Sequence, residues 1–302
     1  MIRLIFCDTD SMSEEATLGI YERTPALAGV VPSCRGKGSY DSIRGYIALL
    51  ALTAEALGSG KISSMTRAEK PESNEKDAEN KDAISRSENE WIYDLTLERD
   101  KDGENKDEIS RGENEWSYDL TLERGKDGKP KFSSLPIFFN ISHRGGAVAI
   151  ILSDEGEVGV DIEEPIDEKR ASGIEARFLK GFSPEDGRIT EVELIYASMS
   201  KCGKIEMMKK LECSDDIPKS DTPIKCAENA DYDNNNLQIL RISPSLDVTS
   251  RWTALEAVIK LSGGGFADFP RVKTLTKNSR IGSYRIFYRD KEYSVSLALP
   301  KF

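Results

Sequence analysis

The feature that most narrows the fold is a close-set series of short β-rich runs, at 137–141, 147–152 and 158–162, in the middle of a 302-residue chain. Runs of this length bounded by turn residues commit the middle of the chain to sheet. The last two are joined at Asp154-Glu155-Gly156, and this spacing predicts an antiparallel hairpin. The third reads Val158-Gly159-Val160-Asp161-Ile162-Glu163. Side chains alternate along a strand, so Asp161 and Glu163 present their carboxylates on one face. About ninety residues later Trp252-Thr253-Ala254-Leu255-Glu256-Ala257-Val258-Ile259-Lys260 has the pattern of a helix, stopped by Gly263, Gly264 and Gly265. Glu256 and Lys260 lie one turn apart and share a face. If the two faces meet, three carboxylates and an ammonium converge, a set suited to Mg²⁺ holding phosphates.

Around these segments the chain divides into recognisable pieces. Ile43, Tyr46, Ile47, Leu50, Ala54 and Leu57 recur at helical spacing up to Gly58, which predicts an amphipathic helix with its stripe in the core. Residues 59–77 turn to Ser, Lys, Glu and Pro, the composition of a linker. Residues 174–179 have a helical pattern, and 201–245 is polar and reads as a second insertion. Two closing runs, 283–288 and 293–299, flank Arg289-Asp290-Lys291 and predict a C-terminal hairpin. Strand, helix and paired strands recur in both halves, so the expected class is α+β: a pseudo-dimer of two similar lobes, 1–150 and 151–302, with antiparallel sheets and the active site at their interface.

The net charge of −11 is concentrated in one place: residues 72–127 hold 19 acidic and 9 basic side chains. That stretch is a tandem duplication, with 79–103 and 104–128 identical at 21 of 25 positions and Trp91 and Trp116 in register. Two copies are too few for a solenoid, so about 66–128 reads as a duplicated acidic insertion in the first lobe. An acidic chain argues against nucleic-acid binding, and no apolar run is long enough to span a membrane. The opening 2–7 reads as a short strand and not a signal peptide. Five cysteines without a C-x-x-C pair fit reduced thiols in a cytoplasm. His143 is the sole histidine, which excludes any site built on two imidazoles. A structural role for it stays open, as it does for Ser142 beside it; Trp252 reads first as core packing.

Gly128-Lys129-Pro130, Phe139-Asn140-Ile141-Ser142-His143, the 158–163 run, Phe182-Ser183-Pro184 and the 252–265 segment occur in one order. In that order the chain resembles the 4′-phosphopantetheinyl transferase superfamily, in particular the monomeric two-lobed type that activates peptide and polyketide synthases. The resemblance covers the core between about 118 and 266. It implies an enzyme of the holo-[acyl-carrier-protein] synthase type, which moves the 4′-phosphopantetheine arm of coenzyme A to a serine of an acyl or peptidyl carrier protein and releases adenosine 3′,5′-bisphosphate. By the same resemblance Asp161, Glu163 and Glu256 would bind Mg²⁺, Lys260 would neutralise phosphate charge, and Glu256 would help deprotonate the carrier serine. Lys129, Ser142 and His143 would hold the nucleotide phosphates, with Ser42 and Arg35 as further contacts from the N-terminal part.

Two departures bear on that reading. The family helix reads W-[ST]-x-K-E-A-x-x-K, and this chain has Leu255 at the first lysine. Where the family usually has a basic residue in the N-terminal helix, this chain has Asp41. The side of the helix bearing Leu255 is expected to face phosphate. A non-catalytic homologue that binds coenzyme A or a carrier domain is the alternative, and a Mg²⁺-dependent hydrolase of another phosphoester is a third.

Overall fold

The computed structural model describes residues 1–24, 27, 30–31, 37–58, 120–126, 128–184, 189, 191–211, 213, 237–263 and 269–301. Most of the duplication, Arg35, Gly264 and Gly265 lie outside the described residues. The elements run β1 (Ile2–Asp8), α1 (Glu14–Arg23), α2 (Lys37–Gly58), β2 (Leu122–Arg124), β3 (Pro130–Phe132), β4 (Phe138–Arg144), β5 (Ala147–Ser153) and β6 (Gly159–Glu163). There follow α3 (Glu168–Ile174), which continues into a π-helical turn (Glu175–Leu179), β7 (Val192–Met199), β8 (Ile205–Leu211), β9 (Leu237–Ile242), α4 (Val248–Ser262), α5 (Val272–Lys277), β10 (Ser279–Tyr288) and β11 (Lys291–Pro300).

The expected α+β class is what these elements form. One sheet has the order β4-β5-β1-β7-β8 and the other β6-β11-β10-β9, with β2-β3 as a small ribbon. Every pairing is antiparallel except β1 with β7. The alternation of β1 explains how the sheets stack. Ile5 and Cys7 pack with Ile43, Ile47 and Leu50 of α2, whereas Ile2, Leu4 and Phe6 pack with Val160, Val295 and Leu297 of the second sheet. A third cluster, with Trp252, Leu255, Val258 and Ile259, covers the far side of the second sheet with α4. Helix, sheet, sheet and helix are therefore stacked as layers, each pair burying an apolar face against the next.

Three expectations need correction. First, β5 does not pair with β6. The hairpin is β4 with β5, turned at Gly145 and Gly146, both at positive φ (56° and 84°). The chain then passes through 154–158 into the other sheet, where β6 pairs with β11. All five β6 residues are buried, and an alternating pattern alone does not say which sheet a strand buried on both faces will join. Second, the polar stretch 201–245 is structured at both ends. It supplies β8, which pairs with β7, and β9, which pairs with β10. β8 is an edge strand whose residues alternate between half-buried and exposed, so its charged residues fit a strand with one solvated face. Third, the sheets do not divide the chain at 150/151: β5 straddles that point, and β7 and β8 join the sheet built on β1. The C-terminal hairpin forms as the turn residues suggest, with Tyr288 opposite Lys291 and Arg289 at φ 53° in the two-residue turn.

Candidate active site

The site is assembled where the edge strands β4 and β6 lie beside α4. Asp247 caps α4, accepting the Ser250 N–H at 2.8 Å. Gly263, at φ 78°, ends it with its N–H on the Lys260 carbonyl. Trp252, Ala254, Leu255, Val258 and Ile259 are buried, which leaves Glu256 and Lys260 half-buried at the rim facing β6. The close approach depends on Gly159: a Cβ there would sit 2.1 Å from the Ala257 carbonyl oxygen and 2.6 Å from the Leu261 nitrogen. Without a side chain at 159 the helix backbone rests on the strand, and Asp161 comes within reach of Lys260.

Lys260 Nζ donates to Asp161 Oδ1 at 2.6 Å and to Ser142 Oγ at 2.9 Å, while Ser142 Oγ donates to the same Asp161 oxygen at 2.8 Å. Ser142 thus bonds side chains rather than backbone. Asp161 is buried, and its Oδ2 has no hydrogen-bond partner. Glu256 joins the group. Burial, with the neighbouring charge of Asp161, pushes its carboxyl up to about 8; Lys260 pulls the other way, and a hydrogen bond with Asp161 and the charge of Glu163 add to the rise. Glu256 is thus harder to ionise than an ordinary carboxyl, a resistance that a nearby cation would relieve.

Glu163 stands differently. Its Oε1 accepts from Arg170 Nη2 at 3.2 Å, and Arg144 Nε lies 3.1 Å from its Oε2, which accepts no well-aligned hydrogen bond. Among the described residues, no group of three or more His, Cys, Asp and Glu side chains is arranged to hold a metal ion. The expected Asp161, Glu163 and Glu256 set is therefore not a finished cage, and two guanidiniums are paired with Glu163. A buried Asp161 oxygen without a hydrogen-bond partner, and a Glu256 carboxyl whose ionisation is opposed by burial and by the charge of Asp161, are nevertheless chemistry a hard divalent cation satisfies.

The remaining expected residues are placed as follows. His143 Nε2 lies 3.0 Å from Ser42 Oγ. Burial lowers its pKa, against the charge of Asp41, and Lys260 lowers it further, so the ring is neutral near pH 7. Lys129 bonds Glu157 and, at 2.9 Å, the Val158 carbonyl, at the entry to β6. Asp41 pairs with Arg44 at 3.6 Å. Trp252 packs on Phe178 with ring centroids 5.4 Å apart, as core. Leu255 is fully buried in the same cluster, so the side expected to face phosphate faces the core instead. Sequence reasoning missed Arg144, Arg170 and Gly159. The signal for Arg144 was available: Asn140, Ser142 and Arg144 alternate just as Asp161 and Glu163 do.

No family model matches this chain. Two short curated matches are informative. Over 36 residues it is 61% identical to the 4′-phosphopantetheinyl transferase AcpT of Salmonella typhi, a stretch covering 12% of this chain and 19% of that protein. Over 36 residues it is 58% identical to AcpT of Escherichia coli strain K12, covering 12% and 18%. The local likeness is to phosphopantetheinyl transferases. The chain spans about a fifth of the length of the curated relatives it matches.

Proposed function

We propose that the protein transfers the 4′-phosphopantetheine arm of coenzyme A to a serine of an acyl or peptidyl carrier protein, with Mg²⁺, acting as a monomer in a cytoplasm. The observation that carries this reading is the Ser142–Asp161–Lys260 constellation with Glu256 beside it, in which the buried Asp161 Oδ2 has no hydrogen-bond partner and invites a cation. The short AcpT likeness supports the same chemistry. Asp161, Glu256 and Glu163 would hold Mg²⁺, which would supply charge neutralisation to the pyrophosphate. Lys260 would offset charge developing on the transferred phosphoryl group. Ser142, and the His143–Ser42 pair beside it, would orient the nucleotide phosphates. The carrier serine Oγ forms a bond to the phosphorus bearing pantetheine as the bond to adenosine 3′,5′-bisphosphate breaks, and its proton passes to Glu256, directly or through water. The two stacked β-layers, each with a long helix outside, would be the two lobes, and the site would lie at their junction.

Incubating an apo carrier protein with coenzyme A and Mg²⁺ tests this: the carrier should gain the mass of the phosphopantetheine arm. Asp161→Ala should abolish the gain while the protein stays folded. Leu255 and Asp41 favour a second reading, binding of coenzyme A without turnover. Bound coenzyme A with no mass gain on any carrier class would establish it.

A further inference from the structure

Arg144 belongs to a regular stitch between β4 and β6. Asn140 Oδ1 accepts the Val160 N–H at 3.2 Å, Ser142 donates to Asp161 at 2.8 Å, and Arg144 Nε sits 3.1 Å from Glu163. The side-chain pairs Ser142–Asp161 and Arg144–Glu163 step by two along both strands, so Arg144 is placed by the fold and is not a stray surface cation. Its side chain is 42% exposed, while that of Glu163 is 10% exposed. A second acceptor is at hand: Glu164 Oε2 lies 3.6 Å from the same Nε. Glu164 is itself tucked over the β4–β5 turn, where a Cβ on Gly145 would meet its Oε1 at 2.3 Å. A divalent ion on Glu163 Oε2 and the Arg144 guanidinium 3.1 Å from that oxygen would repel each other at short range.

Resting on the metal-dependent reading above, we propose that Arg144 is a built-in counter-ion of the site, paired with Glu163 while no divalent ion is there and passing to Glu164 when one binds. Arg170, on the other Glu163 oxygen, stays in place and keeps the carboxylate oriented. The ion therefore binds against an internal competitor, and the competitor's second partner eases its release.

Mn²⁺ binding followed by electron paramagnetic resonance, with coenzyme A present, tests this without reference to turnover. Arg144→Gln should tighten Mn²⁺ about fivefold, the scale of one half-exposed ion pair. Arg144→Lys, which keeps the charge, should stay near wild type. Glu164→Gln should weaken Mn²⁺ about twofold by removing the second partner. An Arg144→Gln protein that binds Mn²⁺ no tighter than wild type, or more weakly, overturns the proposal. If that protein still modifies a carrier, the transferase reading survives and only the counter-ion fails. If neither wild type nor Arg144→Gln binds Mn²⁺ or transfers, both fail.

Discussion

Glu256 and Leu255 are neighbours in sequence with opposite surroundings. In the folded protein the Glu256 carboxyl is pushed up to about 8 from an ordinary 4.5, chiefly by burial and by Asp161. The folded state therefore binds a proton that the unfolded chain has lost between those two values. Its stabilising contribution is complete below about pH 4.5 and disappears as pH rises through 8. Without divalent ions the melting temperature should fall between pH 5 and 8, and Glu256→Gln should flatten that part of the profile; an unchanged slope would mean the proton is not held there. Leu255 is the position where sequence pattern and structure part. A lysine there would complete the family helix motif, yet the side chain is enclosed with Trp252 and Phe182 in the α4 cluster. An ammonium in that place loses hydration without a partner. Leu255→Lys should cost about 3 kcal/mol in chemical denaturation and should not speed transfer.

Among elements, α4 was legible nearly whole: its periodic stripe, its Glu256–Lys260 face and its glycine stop all form as the residues suggest. So did α2 and the C-terminal hairpin, whose local patterns are complete in themselves. What the sequence did not reveal was partnership. β6 has the alternation of a hairpin strand but pairs with β11, some 130 residues away, and only the tertiary stacking of two sheets decides that. β8 was hidden by its charges, since a solvated edge strand and a polar loop have similar composition. Gly159 is where element packing and site geometry depend on one atom. Gly159→Ala would drive a methyl into the Ala257 carbonyl, backbone that cannot turn aside. The expected cost is about 3 kcal/mol, a fall of about 8 °C in melting temperature. Lys260 would be carried away from Asp161, so Mn²⁺ affinity and transfer should fall together. A variant that kept both would show that α4 can lift without disturbing the site.

At the scale of the whole molecule, the site draws on segments distant in sequence: Ser42 from α2, Ser142 and His143 from β4, Asp161 from β6, Lys260 from α4. The candidate residues come from short motifs, whereas the layer that joins them could not be read in advance, because β1 and β7 pair across about 190 residues of chain. The acidic duplication raises the remaining question of what the molecule requires. β2 begins at Leu122, inside the second copy; Leu122 is buried against the α2 cluster, and Arg124 donates to the Val30 and Gly128 carbonyls. The second copy thus ends in the core by residues that the first copy repeats in sequence at Leu97 and Arg99. Deleting 79–103 leaves β2, β3 and Lys129 in place and shortens the 59–121 connection by one period of 25 residues. Loop closure changes only logarithmically with length, by about 0.5 kcal/mol here and in the favourable direction. The deletion variant should unfold in a single cooperative transition within about 2 °C of the full chain and modify carriers at a similar rate. A broadened or missing transition would show that the first copy holds part of the core, and that the duplication had become structural after it arose.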